Sequence, residues 1–356
     1  MSWPMRVSIA LGALTALAGF FIGFCALSYR SDMRIDETRG INEAGYVRIG
    51  GIDQWVQIRG HDRNNPVLLY LNGGPGFSTV GGSYWYREWE QHYTLVMWDQ
   101  RGEGKTFERS GASVKNTMTI STFTRDGIEL AQYLTHHLHK DKIILLGHSW
   151  GSMLGVHIVH ARPDLFCVYV GTGQLVSEKQ TAQASYPLLV ARAHSLGNNQ
   201  AVQELLAAGP PPYPPDIRRW IPLMTWAQAL DPSPPQEDWP SASQIWLTLR
   251  RLLDPREIAP GITPAVQFSM STLWPDIVRD DLPALGLRFE VPVVFIQGTE
   301  DITTVTALAK TYFDRVDAPS KRFVTLAGAG HLAIFTDRAG FLRALEEYVR
   351  PLTVSN

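Results

Sequence analysis

A single serine, Ser149, stands between two glycines in Gly147-His148-Ser149-Trp150-Gly151, directly after the apolar run Ile143–Leu146. Four consecutive apolar residues suit a parallel strand covered on both faces. Trp150–Ala161 reads as a helix that Arg162-Pro163 stops. A residue at the apex of so sharp a strand-to-helix turn is pushed toward positive φ, and small neighbours two places away relieve the crowding. The hydroxyl is then exposed at the carboxyl end of the strand, which is the geometry of a nucleophile elbow, G-x-S-x-G.

A serine hydroxyl is a weak nucleophile until a base takes its proton, and a third group must hold that base. On this architecture the chain order is serine, acid, histidine. Of the ten histidines, only His331 lies beyond residue 194, so it alone can follow a late acid. It sits in LAGAGHL, between a predicted strand at 323–326 and a closing helix near 340–349. The acid is expected in Thr299-Glu300-Asp301, after the strand Val291–Gln297 and Gly298. Asp301 is favoured by position, and Glu300 beside it stays open. Its task would be to accept the His331 Nδ1–H and fix the tautomer. Acyl transfer also needs backbone donors for the developing oxyanion. Trp150 N–H supplies one, and Gly74, in Asn72-Gly73-Gly74-Pro75-Gly76 after the strand Val67–Leu71, is the expected second.

The elements that must position these residues alternate β and α, which implies a mostly parallel central sheet with helices on both faces. Tyr46–Ile49 and Gln54–Ile58 flank Gly50-Gly51 as an opening hairpin, Tyr93–Trp98 and Phe166–Val170 are further strands, and Thr122–His139 is a helix. Between 175 and 287 lie sixteen of the 23 prolines and five of the 11 tryptophans. Proline-rich stretches cannot be sheet interior, and IWLTLRRLL (245–253) is too apolar for a disordered linker. The segment is expected to be a helical cap over the strands' carboxyl ends, where open α/β sheets bind ligands. The expected organisation is a membrane anchor (1–28), a linker (29–44), core (45–174), cap (175–287) and core again (288–356).

The anchor rests on Val7–Leu27, 21 residues without a charge. At about 1.5 Å per residue such a helix spans roughly 30 Å, the thickness of a bilayer core. The expected location is therefore the membrane, through a single-pass N-terminal helix. The competing reading is an export signal cleaved near Ala26-Leu27-Ser28, giving a secreted or periplasmic protein. The net charge is −2, which gives no sign of nucleic-acid binding. Cys25 and Cys167 lie in unrelated apolar runs, so no disulfide is expected. His136-His137-Leu138-His139 ends a helix, where histidines suit the dipole, so no metal site is read there.

LNGGPG (71–76), MWDQRGEG (97–104), LLGHSWGS (145–152), GTED (298–301) and GAGH (328–331) together resemble the α/β-hydrolase superfamily. Within it they are similar to the prolyl aminopeptidase (proline iminopeptidase) group, over about residues 45–174 and 288–350. The resemblance implies a serine peptidase with no metal or organic cofactor, acting on a short peptide or other small molecule. It further implies that Gly73, Gly76, Asp99 and Arg101 support the active-site loops. Two departures stand out: Asn72 replaces the usual histidine, and Trp246-Leu247 lacks the cap glutamate that holds the substrate amine in that group. Glu178, Glu204, Glu237 and Glu257 remain as cap acids with no assigned role. A small ester or lactone is thus the alternative substrate, and a catalytically silent binding scaffold the alternative class. A serine at 149, rather than a carboxylate, excludes dehalogenase chemistry.

Overall fold

The computed structural model describes residues 3–79, 82–231 and 262–353. Eight strands form one sheet in the order β1-β2-β4-β3-β5-β6-β7-β8. Their ranges are β1 Ile41–Ile49, β2 Ile52–Gly60, β3 Val67–Leu71, β4 Thr94–Asp99, β5 Ile143–His148, β6 Phe166–Thr172, β7 Val293–Gly298 and β8 Lys321–Leu326. The first two pairings, β1 with β2 and β2 with β4, are antiparallel. The other five are parallel. This mostly parallel sheet with helices on both faces is the architecture that the alternating pattern predicts. Strands β3, β4, β5 and β7 are buried at every position, which accounts for their unbroken apolar character.

The hairpin turns at Gly50 and Gly51, with φ of +55° and +77°, and pairs all nine positions of β1 with β2. It begins earlier than the sequence suggests. Residues 41–44, expected in a linker, are strand. The stretch before them is also tied down: Met33 and Ile35 are buried, and the Arg59 Nη2 donates to the Met33 carbonyl at 3.0 Å. Arg59 itself is paired with buried Glu90 at 2.6 Å.

The expectation of a membrane span is corrected. The apolar run is part of a 30-residue helix, Trp3–Asp32, that continues into polar sequence. Among the described residues no helix is long and apolar enough to cross a membrane. Gly12, Thr15, Gly19 and Gly23 interrupt the bulkier residues. The N-terminal transmembrane helix, the membrane location and the membrane as a partner fall with it.

Between β6 and β7 the described residues form helices Glu178–Ser195, Asn199–Ala208, Ile221–Ala229 and Ile262–Arg279. Leu223, Ala227, Val266, Met270 and Trp274 from these helices share one cavity wall with Ser149 at the carboxyl end of β5. They therefore roof the strand ends. Trp246-Leu247, Glu237 and Glu257 lie outside the described residues.

Candidate active site

Ser149 follows the last residue of β5 and precedes the first of helix Trp150–Ala161. Its φ is +54° and its ψ −122°, a conformation that costs a non-glycine residue about 1–3 kcal/mol. The turn is held from three sides. Ser149 N–H donates to the Thr172 carbonyl at 3.1 Å. The Ser152 hydroxyl donates to the Ser149 carbonyl at 2.6 Å and accepts from Leu175 N–H at 2.9 Å. The flanking glycines are sterically required: a Cβ on Gly147 would lie 2.3 Å from Gly151 O, and one on Gly151 would lie 2.1 Å from Leu71 O.

His331 is buried in the turn after β8, with Nδ1 3.0 Å from Asp301 Oδ2. Asp301 follows β7, and its other oxygen accepts from Thr303 N–H and Thr304 N–H at 2.8 and 2.9 Å. The Thr304 hydroxyl donates to Oδ2 at 2.7 Å. Burial alone would raise the Asp301 carboxyl, but the His331 charge, the bond to it and these donors bring it down to about 2. Burial would lower His331, and the adjacent Asp301 charge and hydrogen bond outweigh it, so His331 is raised. An ionised Asp301 takes the Nδ1–H, which leaves Nε2 as the free base. Glu300, the alternative acid, is exposed.

The His331 backbone is clamped by residues the sequence does not single out for that purpose. Its N–H donates to Asp231 Oδ1 at 2.8 Å, 100 positions away in the cap. Its carbonyl lies 3.1 Å from His148 Nε2. Burial first, then repulsion from His331, pushes His148 down to about 3, so His148 is neutral and donates that proton. Gly173 packs on both rings: a Cβ there would meet His331 Cε1 at 2.8 Å and His148 Cδ2 at 3.2 Å.

The loop Asn72–Gly76 faces Ser149. Gly74 and Gly76 have φ of +122° and +95°, and a Cβ on Gly73 would lie 3.2 Å from Ser149 Cβ. Asn72 spans the loop, donating to the Phe77 carbonyl. It also accepts from Gln100 Nε2 at 3.2 Å, and Gln100 Oε1 accepts from the Trp150 indole N–H at 3.3 Å. Beneath them lies Glu103, fully buried. Its oxygens accept from Gly76 N–H at 3.2 Å, Gln100 N–H at 2.9 Å and Asn72 Nδ2 at 3.3 Å. Burial drives its pKa well above the carboxylate range, against these donors. Sequence reasoning passes over Glu103, although a charge between the two glycines of DQRGEG was a usable signal.

Asp99 and Arg101 are buried, not surface groups. Asp99 accepts from the Ser78 hydroxyl at 2.6 Å and from Lys105 N–H at 2.8 Å, which fixes the chain just past the glycine loop. Burial raises it to about 6. Arg101 points away, paired with Asp126 at 3.0 Å and bonded to the Gly50 carbonyl at 2.8 Å. The structure thus brings Ser149, His331, Trp150, Gly73 and Gly74 onto one cavity of about 980 Å³. Asp301, Gly76, Asp99 and Arg101 stand behind that lining.

Two carboxylates also face the cavity, Glu178 and Asp231, and no lysine or arginine lines it among the described residues. Glu178 begins the first cap helix. Burial pushes it up to about 7, against the pull of His331. Glu204 is instead exposed and accepts from the Trp226 indole at 2.9 Å.

The chain belongs to the alpha/beta hydrolase family, whose model matches residues 68–344, and it is a hydrolase. It is 29% identical over 323 residues to the probable aminopeptidase YbaC of Bacillus subtilis, covering 89% of this chain and 99% of that one. It is 24% identical over 324 residues to the proline iminopeptidase of Lacticaseibacillus rhamnosus, covering 86% and 97%. The fold superposes on a proline iminopeptidase-related protein from Thermus thermophilus with a TM-score of 0.63 at 19% identity, covering 88% and 99%.

Proposed function

We propose that Ser149, His331 and Asp301 act as a catalytic triad that releases N-terminal residues, with proline the first candidate, from short peptides through an acyl-enzyme. His331 Nε2 takes the Ser149 hydroxyl proton as Oγ attacks the scissile carbonyl. The oxyanion is received by the N–H groups of Trp150 and Gly74. Collapse breaks the C–N bond, and His331 returns the proton to the leaving amine. Water, deprotonated by His331, then attacks the acyl-enzyme, frees the acid and restores Ser149. No metal or organic cofactor takes part.

The observation that carries this reading is the buried His331–Asp301 pair, opening onto the same cavity as a backbone-strained serine. The aminopeptidase preference is supported by Glu178 and Asp231 with no lining cation, since a substrate ammonium would find a partner there and a carboxylate would not. The named relatives point the same way. A carboxylesterase or lactonase is the second reading, favoured by one observation. Glu178 near 7 is part neutral at neutral pH, so the pocket also accommodates an uncharged ester. Hydrolysis of a prolyl arylamide and a short-chain aryl ester by the full chain, with Ser149→Ala as control, separates the two. Loss of both activities in the variant supports the triad, and retention of either removes Ser149 from the nucleophile role.

A further inference from the structure

The cavity is not uniform. The cap wall, with Leu223, Met270, Trp274 and Ile277, belongs to the apolar core on one face of the sheet. Tyr70, Tyr86, Trp85 and Phe335 line the same cavity but belong to the core of the other face. A continuous aromatic path leads there from the proposed base. The His331 and His148 rings lie 4.9 Å apart, His148 and Phe335 5.9 Å, Phe335 and Tyr86 6.1 Å, and Tyr86 and Tyr70 5.7 Å. Such tilted and edge-on contacts make a wall that receives another ring.

Polar atoms cluster in this recess. The hydroxyls of Tyr70, Tyr86, Thr79 and Thr336 are sealed from outer solvent, and none has a hydrogen-bond partner. All four residues line the cavity. Burying a hydroxyl unpaired is unfavourable, so several unpaired in one recess mark a place where a ligand group completes them. A phenol donates its proton, and burial raises both tyrosines, so they stay protonated donors. The matching group is an acceptor. It must also be uncharged, because no cation lines the cavity and the two nearby carboxylates would repel an anion.

We propose that the recess between Tyr70, Tyr86 and Phe335 is a second recognition subsite, which takes an aromatic group bearing an uncharged acceptor such as a carbonyl. The subsite does not depend on the triad, so binding tests it directly.

Acetophenone and ethylbenzene, nearly equal in size and differing in the carbonyl, are titrated into the full chain by calorimetry. Acetophenone should bind about 3- to 10-fold more tightly, the effect of about one hydrogen bond. The Tyr70→Phe/Tyr86→Phe double variant should bring that ratio below about twofold while ethylbenzene binding is kept. Ser149→Ala should bind both compounds as the unaltered chain does, which separates this result from any failure of the catalytic reading. Equal affinities in the unaltered chain, no binding of either compound, or a preference that survives the double variant would overturn the subsite. Should the double variant not fold, the carbonyl stretch of bound acetophenone decides. A shift to lower wavenumber than in hydrocarbon supports the hydrogen bond, and an unshifted band refutes it.

Discussion

Glu103 accepts a hydrogen bond from the backbone N–H of Gly76 at 3.2 Å, joining the loop after β4 to the glycine loop after β3. Its other oxygen holds Gln100 N–H and Asn72 Nδ2, and Gln100 in turn holds the Trp150 indole. One buried carboxyl thus couples the two backbone segments proposed to receive the oxyanion. Every contact on Glu103 is a donor. Glu103→Gln would turn an NH2 group against at least one of them at nearly constant volume. The expected result is a kcat lowered about 10- to 100-fold with KM little changed, short of the 100- to 1,000-fold typical for deleting a donor outright. An equal rise in KM with kcat intact would mean that Glu103 shapes ground-state binding instead.

Asp301→Asn keeps the shape of the acid and removes its charge. The asparagine can present an N–H toward His331 Nδ1 and favour the wrong tautomer, as the loss of about four orders of magnitude in an analogous triad shows. A kcat drop of about 1,000- to 10,000-fold is expected. A second readout carries a sign. Asp301 raises the His331 pKa, so the acid limb of the residual activity should move to lower pH in the variant. A limb that stays in place would mean that another group than His331 titrates there.

Gly151 is a stability test of the elbow. A Cβ there would lie 2.1 Å from Leu71 O and 2.6 Å from Asn72 O, both backbone atoms that cannot rotate away. Gly151→Ala should destabilise the chain by about 2–4 kcal/mol, in the range of overpacking with backbone displacement, seen as a lower denaturant midpoint. Gly45→Ala, where a Cβ meets nothing within 4 Å, is the matched control. It should change stability by less than about 1 kcal/mol.

The central strands were legible because burial on both faces leaves an unbroken apolar run, as in Val67–Leu71 and Ile143–Leu146. The elbow and the histidine turn were legible because glycine spacing and chain order constrain them. The start of β1 was not: Asn42, Glu43 and Ala44 carry no strand pattern, and they are strand because β2 pairs with every one of them. The clamp on His331 was hidden for another reason. Asp231 and His148 lie 100 and 183 positions from it, and only the folded sheet and cap bring the three together. The apolar N-terminal run misled, because length without charge does not distinguish a membrane span from a helix of another kind.

Glu178 makes the last prediction, and its pH sign follows from burial. Its carboxyl is raised to about 7, so it is largely neutral at pH 6 and largely ionised at pH 8. An ammonium-bearing substrate gains its partner only in the ionised form. The kcat/KM for a prolyl arylamide should therefore rise between pH 6 and 8 more steeply than that for a neutral aryl ester, which follows His331 alone. The ratio of the two cancels the shared dependence on His331 and should climb up to about tenfold over that interval, the limit for one group titrating near its middle. The substrate amine must stay protonated, so the window closes where that amine itself titrates. Glu178→Gln should flatten the ratio and raise KM for the arylamide alone. A ratio already flat in the unaltered chain would remove Glu178 from amine recognition and leave Asp231 to be tested in the same way.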